Sequence, residues 1–156
     1  MKRALVLLAF ACASLRAFAA PASNEINADN VLALMNDYRA QQSLPALHFD
    51  AVLNAAAADR MRDMEETEYW SHESPDGTSP FVWLTVEHYP YRYAGENLAN
   101  GFETARLLVE SWMESPGHRE NILSAEFDEC GIAVIDGSTK GPATGKSIVV
   151  MFGRRR

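Results

Sequence analysis

A mixed fold of class α+β, with a small central sheet between helical layers, is what this 156-residue sequence predicts. Three observations lead there. Apolar residues recur at helical spacing in three segments up to Glu114. Two segments near the end are apolar without alternation, as strands covered on both faces are. Helices come first and strands last, with no internal repeat.

Residues 1–19 have the order of a secretory signal. Lys2 and Arg3 form a basic start, residues 4–15 form a short apolar run, and Ala17-Phe18-Ala19 offers an A-x-A cleavage site. The run is shorter than the roughly 20 residues a transmembrane helix needs. Residues 20–28 are polar and contain Pro21, which predicts a flexible lead-in to one domain over residues 29–153.

Helix one is predicted from Asp29, as its cap, to residue 41 or 42. Val31, Leu34, Met35 and Tyr38 form one stripe. Leu44-Pro45 ends it. Asp50 caps a second helix to about residue 65, with Leu53, Ala57, Met61 and Met64 on its inner face. The stretch from His72 to Gly77 is dense in turn formers. A short helix over residues 80–86, capped by Ser79, and an extended stretch over residues 89–93 follow. A helix over residues 104–114 buries Ala105, Leu108, Val109 and Trp112. Ser115-Pro116 stops it, and Ser115 caps a further short helix with Pro116 as its first residue. The two apolar strands cover residues 130–135 and 147–152, joined by a long hairpin loop over residues 136–146.

Charge and cysteine use narrow the function. Removing the signal takes away three of 14 basic residues and none of 21 acidic ones, leaving a net charge of −10. Such a surface repels phosphate backbones, which argues against nucleic acid as a partner. Cys12 leaves with the signal and Cys130 stands alone, so no disulfide forms within the mature chain. Cys130, at the start of an apolar strand, reads as a small packed hydrophobe.

Three segments carry polar side chains suited to chemistry: Ser71-His72, Gly95-Glu96-Asn97, and the run from Ser115 to Leu123 containing His118. Gly95-Glu96-Asn97 reads as a place where the backbone turns. His48 and His88 lack such context and read as structural or surface residues. His118 falls third in its short helix, where the positive helix end favours a neutral ring. A neutral imidazole binds a metal or accepts a proton near neutral pH. Glu96 either ties down a loop through backbone N–H groups or joins the histidines as ligand or general base. Two histidines and one carboxylate suit Zn2+ with an open position. No H-E-x-x-H, G-x-S-x-G or P-loop motif is present.

Ser71-His72, Gly95-Glu96-Asn97-Leu98-Ala99, Trp112 and Pro116-Gly117-His118-x-x-Asn121-Ile122-Leu123, in this order, resemble the CAP superfamily of cysteine-rich secretory, antigen 5 and pathogenesis-related proteins (SCP domains). The disulfide-free form is most similar to its bacterial secreted branch. The resemblance spans about residues 30–152. It implies a three-layer α-β-α sandwich with a small, mainly antiparallel central sheet. It also implies a shallow cleft lined by two histidines and two acids. His72, Glu96 and His118 match three of these. Glu114 is the candidate fourth, but it lies two residues after Trp112 where other branches have a glutamate three after. Helix geometry turns it away from the buried stripe.

The function expected from this is a secreted monomeric binding module whose cleft takes a divalent metal, with Zn2+ the candidate cofactor, or a small apolar or lipid ligand. An extracellular protein, an envelope component or a lipid is the expected partner. Phe81, Trp83, Tyr89, Tyr91 and Tyr93 either belong to the core or line an apolar groove. The alternative is a metal-assisted peptide or ester hydrolase in the same cleft, with Glu96 as base. Ser71, beside His72, is the candidate nucleophile, and adjacency in sequence is not triad geometry.

Overall fold

The computed structural model describes residues 24–137 and 145–156. The signal segment and most of the predicted hairpin loop lie outside the described residues. The elements in chain order are α1 (Ala28–Gln41), β1 (His48–Phe49), α2 (Ala51–Glu66), α3 (Val82–Val86), β2 (Tyr91–Phe102), α4 (Ala105–Glu114), α5 (Pro116–Leu123), β3 (Glu129–Asp136) and β4 (Lys146–Arg155). The sheet order is β1-β3-β4-β2. The two-residue β1 pairs parallel with β3, and the other pairings are antiparallel.

The predicted α-β-α sandwich is the observed architecture, and its middle layer explains the non-alternating strands. Along β4, Ile148, Val150 and Phe152 enter one core cluster, while Val149 and Met151 enter a second. The first cluster lies under α1, α4 and α5, with Val31, Met35, Leu108, Trp112 and Ile122. The second lies under α2 and α3, with Leu53, Met61, Met64 and Leu84. Side chains in a strand alternate faces, so a strand sandwiched between helices is apolar at every position.

Helix ends follow local chemistry. Asn27, rather than Asp29, caps α1: its side chain accepts from the Asn30 amide at 2.9 Å. Ile26 before it is buried in the first core, and the Asn24 carbonyl accepts from the Ala105 amide. Asp50 caps α2 by accepting from Val52 and Leu53, each at 2.9 Å. Thr104 caps α4 through the Leu107 amide. The short helix α3 starts at Val82 rather than at residue 80, after a turn closed by the Val82 amide on the Ser79 carbonyl.

Two buried arginines tie loops to helices. Arg39, 1% exposed, donates to the carbonyls of Pro45, Ile122, Ser124 and Phe127. It thereby fixes the turn between α5 and β3. The other, Arg60, belongs to the site described below. Cys130 is fully buried, and burial pushes its thiol up to about 12, so it packs as expected and stays protonated.

Candidate functional site

Strand β2 positions the site. Gly95-Glu96-Asn97 lies in the middle of this strand and not at a turn, which corrects the sequence expectation. The strand runs on past its predicted end at residue 93 as far as Phe102, because β4 pairs with it through Ala99 and again at Phe102. Alternation then sends neighbouring side chains to opposite faces. Glu96 points to the α2 side and Asn97 to the α5 side, as their partners show.

Glu96, with its side chain 2% exposed, accepts from Arg60 Nε at 2.9 Å through Oε2. Its Oε1 lies 2.8 Å from His72 Nδ1. The same Arg60 guanidinium donates to the carbonyls of Ser71 and His72 and to the Tyr69 hydroxyl. Tyr69 in turn meets the Asp63 carboxylate and Ser74. One buried cation on α2 therefore fixes both the acid and the loop that carries His72.

On the other face, Asn97 Nδ2 donates to the His118 carbonyl at 3.1 Å. Asn121 Nδ2 lies 3.1 Å from the Glu96 carbonyl and 2.9 Å from Asn97 Oδ1. Trp112 Nε1 donates to the Leu98 carbonyl at 3.1 Å. β2 is an edge strand. These side chains satisfy the carbonyls an edge leaves open, and so dock α4 and α5 on it. Gly95 leaves room for this docking, since a Cβ there would stand 2.9 Å from Asn121 Oδ1 and from Phe127.

The outcome is a pair of imidazoles from opposite layers, His72 and His118, with ring centroids 6.3 Å apart. The Trp112 ring stands 6.2 Å from His118 on its inner side. His72 is the open member, its side chain 56% exposed, and with Nδ1 held by Glu96 it presents Nε2 outward. Glu114 is exposed at the end of α4. His48 is exposed in β1, and His88 sits at φ 60° after α3. The five aromatics named above do not share one groove. Tyr89 is buried, Tyr93 packs against the first core, and Phe81, Trp83 and Tyr91 pack against the second.

The two imidazoles differ in proton affinity. The Glu96 hydrogen bond raises the pKa of His72, outweighing partial burial. Burial lowers that of His118, and the nearby His72 lowers it further. The expected direction for His118 holds, but desolvation leads rather than the helix end. We expect histidine resonances titrating on opposite sides of about 6.5, His72 above and His118 below. Stability follows both. His72 binds its proton more tightly when folded, so its contribution is complete below about pH 6.5 and fades as pH rises through its folded pKa. His118 contributes above about pH 6.5, and loses this as pH falls through its lowered pKa. Urea unfolding from pH 5 to 8, repeated on His72→Ala and His118→Ala, separates the two opposing slopes.

The profile of the cysteine-rich secretory protein family (CAP) matches residues 32–151. The chain belongs to this family. Two proteins of Bacillus subtilis are similar to it: "Uncharacterized protein YkwD", 36% identical over 75% of this chain, and "Uncharacterized membrane protein YlbC", 32% identical over 67%. The chain spans 46% and 30% of their respective lengths. Among solved structures, an extracellular protein containing an SCP domain from Bacillus anthracis superposes with TM-score 0.69 and 26% identity, covering 85% of this chain and 45% of that one. An outer surface protein from Borrelia burgdorferi superposes with TM-score 0.71 over 82% of this chain and 92% of its own; at 23% identity it supports the fold alone. No described helix of this CAP domain is long and apolar enough to cross a membrane.

Sequence reading missed Arg60 and gave Asn97 and Asn121 no role. Arg60 had a signal: it stands seven residues after Leu53 on the inner face of α2, a charge inside an apolar stripe.

Proposed function

We propose that this CAP domain works outside the cytoplasm as a binding module, and that His72 and His118 together hold one divalent transition metal such as Zn2+. The observation that carries the reading is the His72–Glu96 hydrogen bond opposite His118. A carboxylate behind an imidazole fixes its tautomer and aims its other nitrogen, the usual support of a metal-binding histidine. Zn–N bonds are about 2.0–2.1 Å, so a tetrahedral ion shared by the two rings calls for centroids roughly 5 Å apart, and the rings, at 6.3 Å, would have to close by about 1 Å around it. Glu96 acts from behind His72 rather than as a direct ligand, because both of its oxygens are engaged. Among the described residues no set of three His, Cys, Asp or Glu side chains is arranged to hold a metal. The remaining positions thus fall to water or to a bound ligand. Export rests on the signal-like residues 1–19 and on the likeness to the extracellular Bacillus anthracis protein.

Calorimetric titration with zinc tests this. Saturable binding, lost in His72→Ala and in His118→Ala and weakening as the pH drops below the His72 pKa, is the expected result. Equal binding by both variants would remove the site.

The opposite proton affinities of the two rings favour one second reading, hydrolysis, in which protonated His72 donates and neutral His118 accepts. Peptide and ester turnover abolished by His118→Gln would support it, and a panel without turnover would end it.

A further inference from the structure

A cavity of about 400 Å³ opens between the end of α2, the turn around Pro75 and helix α3. None of its walls belongs to the histidine pair. The volume lies in the range of small-molecule sites. Trp83, Val82 and Val86 supply an apolar wall, and the two valines are 37% and 50% exposed. The Trp83 indole N–H is buried without a hydrogen-bond partner among the described residues. The surface this ring shows to the cavity is therefore carbon.

The charges facing that wall have one sign. Asp63 and Asp76 line the cavity, and among the described residues no lysine, arginine or histidine does. Asp63 is already engaged by Tyr69 and lies 3.6 Å from Arg60. Asp76 is the freer charge, fully exposed and held ionised by the Thr78 amide beside it. An anionic ligand would meet two carboxylates. Thr67, Ser74 and Thr78 add hydroxyls, but the wall is mostly apolar by area, and a neutral sugar would leave both carboxylates without a counter-charge. A cation on an apolar body satisfies both features, with aromatic carbon and carboxylates attracting the charge and the valines taking the body.

We propose that this cavity is a binding site for small organic ammonium ions that carry an apolar chain or ring. It is independent of any metal at the histidines.

The probe is hexyltrimethylammonium, titrated calorimetrically into the protein beside hexanoate and hexanol. The ammonium should bind saturably and shift the Trp83 indole resonance, and hexanoate should not bind. Hexanol, with the chain but no charge, should bind more weakly than the ammonium. Val86→Arg sets a fixed cation at the mouth on a half-exposed position that tolerates change. It should weaken the ammonium by about tenfold or more. Asp76→Asn should weaken it less. Leu107→Arg, on α4 in the opposite layer and 55% exposed, should leave binding unchanged. Hexanoate binding as well as the ammonium, unaltered binding in Val86→Arg, or no saturable binding of the ammonium would each overturn the proposal.

Discussion

Arg60→Met should destabilise the protein by about 3–5 kcal/mol, the range for breaking a buried ion pair on one side. Arg60 is fully buried and its partner Glu96 nearly so. Removing the guanidinium leaves a carboxylate in the interior with only the His72 ring beside it. The carbonyls of Ser71 and His72 lose their donor as well. Because those carbonyls belong to the loop that carries His72, the loss reaches the site. The His72–Glu96 bond should loosen and any zinc affinity should fall with it. Arg62→Met is the matched control. Arg62 pairs with Asp59 on the same helix, but its side chain is 60% exposed. A surface pair of this kind is worth about 1 kcal/mol or less. Urea unfolding of the two variants should differ several-fold in lost stability, and equal losses would contradict the role given to Arg60.

Gly131→Ala should be at least as damaging, costing about 3 kcal/mol or more or leaving no folded protein. A Cβ at Gly131 would sit 2.0 Å from the Leu53 carbonyl carbon and 2.2 Å from the Asn54 amide nitrogen. Both are backbone atoms of α2, and neither can turn aside as a side chain does. The helix would have to lift from β3. That lift would break the bond from the Ile132 amide to Asn54 Oδ1, now 2.9 Å, and open the second core around Leu53 and Met61. Gly117→Ala provides the contrast. Nothing lies within 4 Å of its added methyl, and the residue is in α5. Alanine's better helix propensity makes that change neutral or slightly stabilising, by about 1 kcal/mol at most. Thermal unfolding of the pair reads the difference, and similar melting of both would mean that α2 does not pack on Gly131.

Short-range physics decided which parts of the fold were legible in the sequence. Apolar spacing located α1, α2 and α4 because each buries a single stripe. The doubly apolar runs at β3 and β4 located the centre of the sandwich because a covered strand has no wet face. The strand around Glu96 was not legible. Gly95, Glu96 and Asn97 have turn-like composition, and only pairing with β4 holds them extended. Likewise, Arg60 makes sense only once Glu96, 36 residues later, stands beside it. His72 and His118 were recognisable from their motifs and neighbours. Their 6.3 Å approach depends on how the loop of His72 and the helix α5 of His118 meet across an edge strand, which no local pattern specifies.

At the centre of the site, Glu96 holds His72 ready opposite His118. Histidine NMR titrations of the parent and of Glu96→Gln test this most directly. The His72 pKa should lie above about 6.5 in the parent and drop clearly in the variant, while the fold around Trp112 persists. A His72 that titrates at the same pH in both proteins would contradict it.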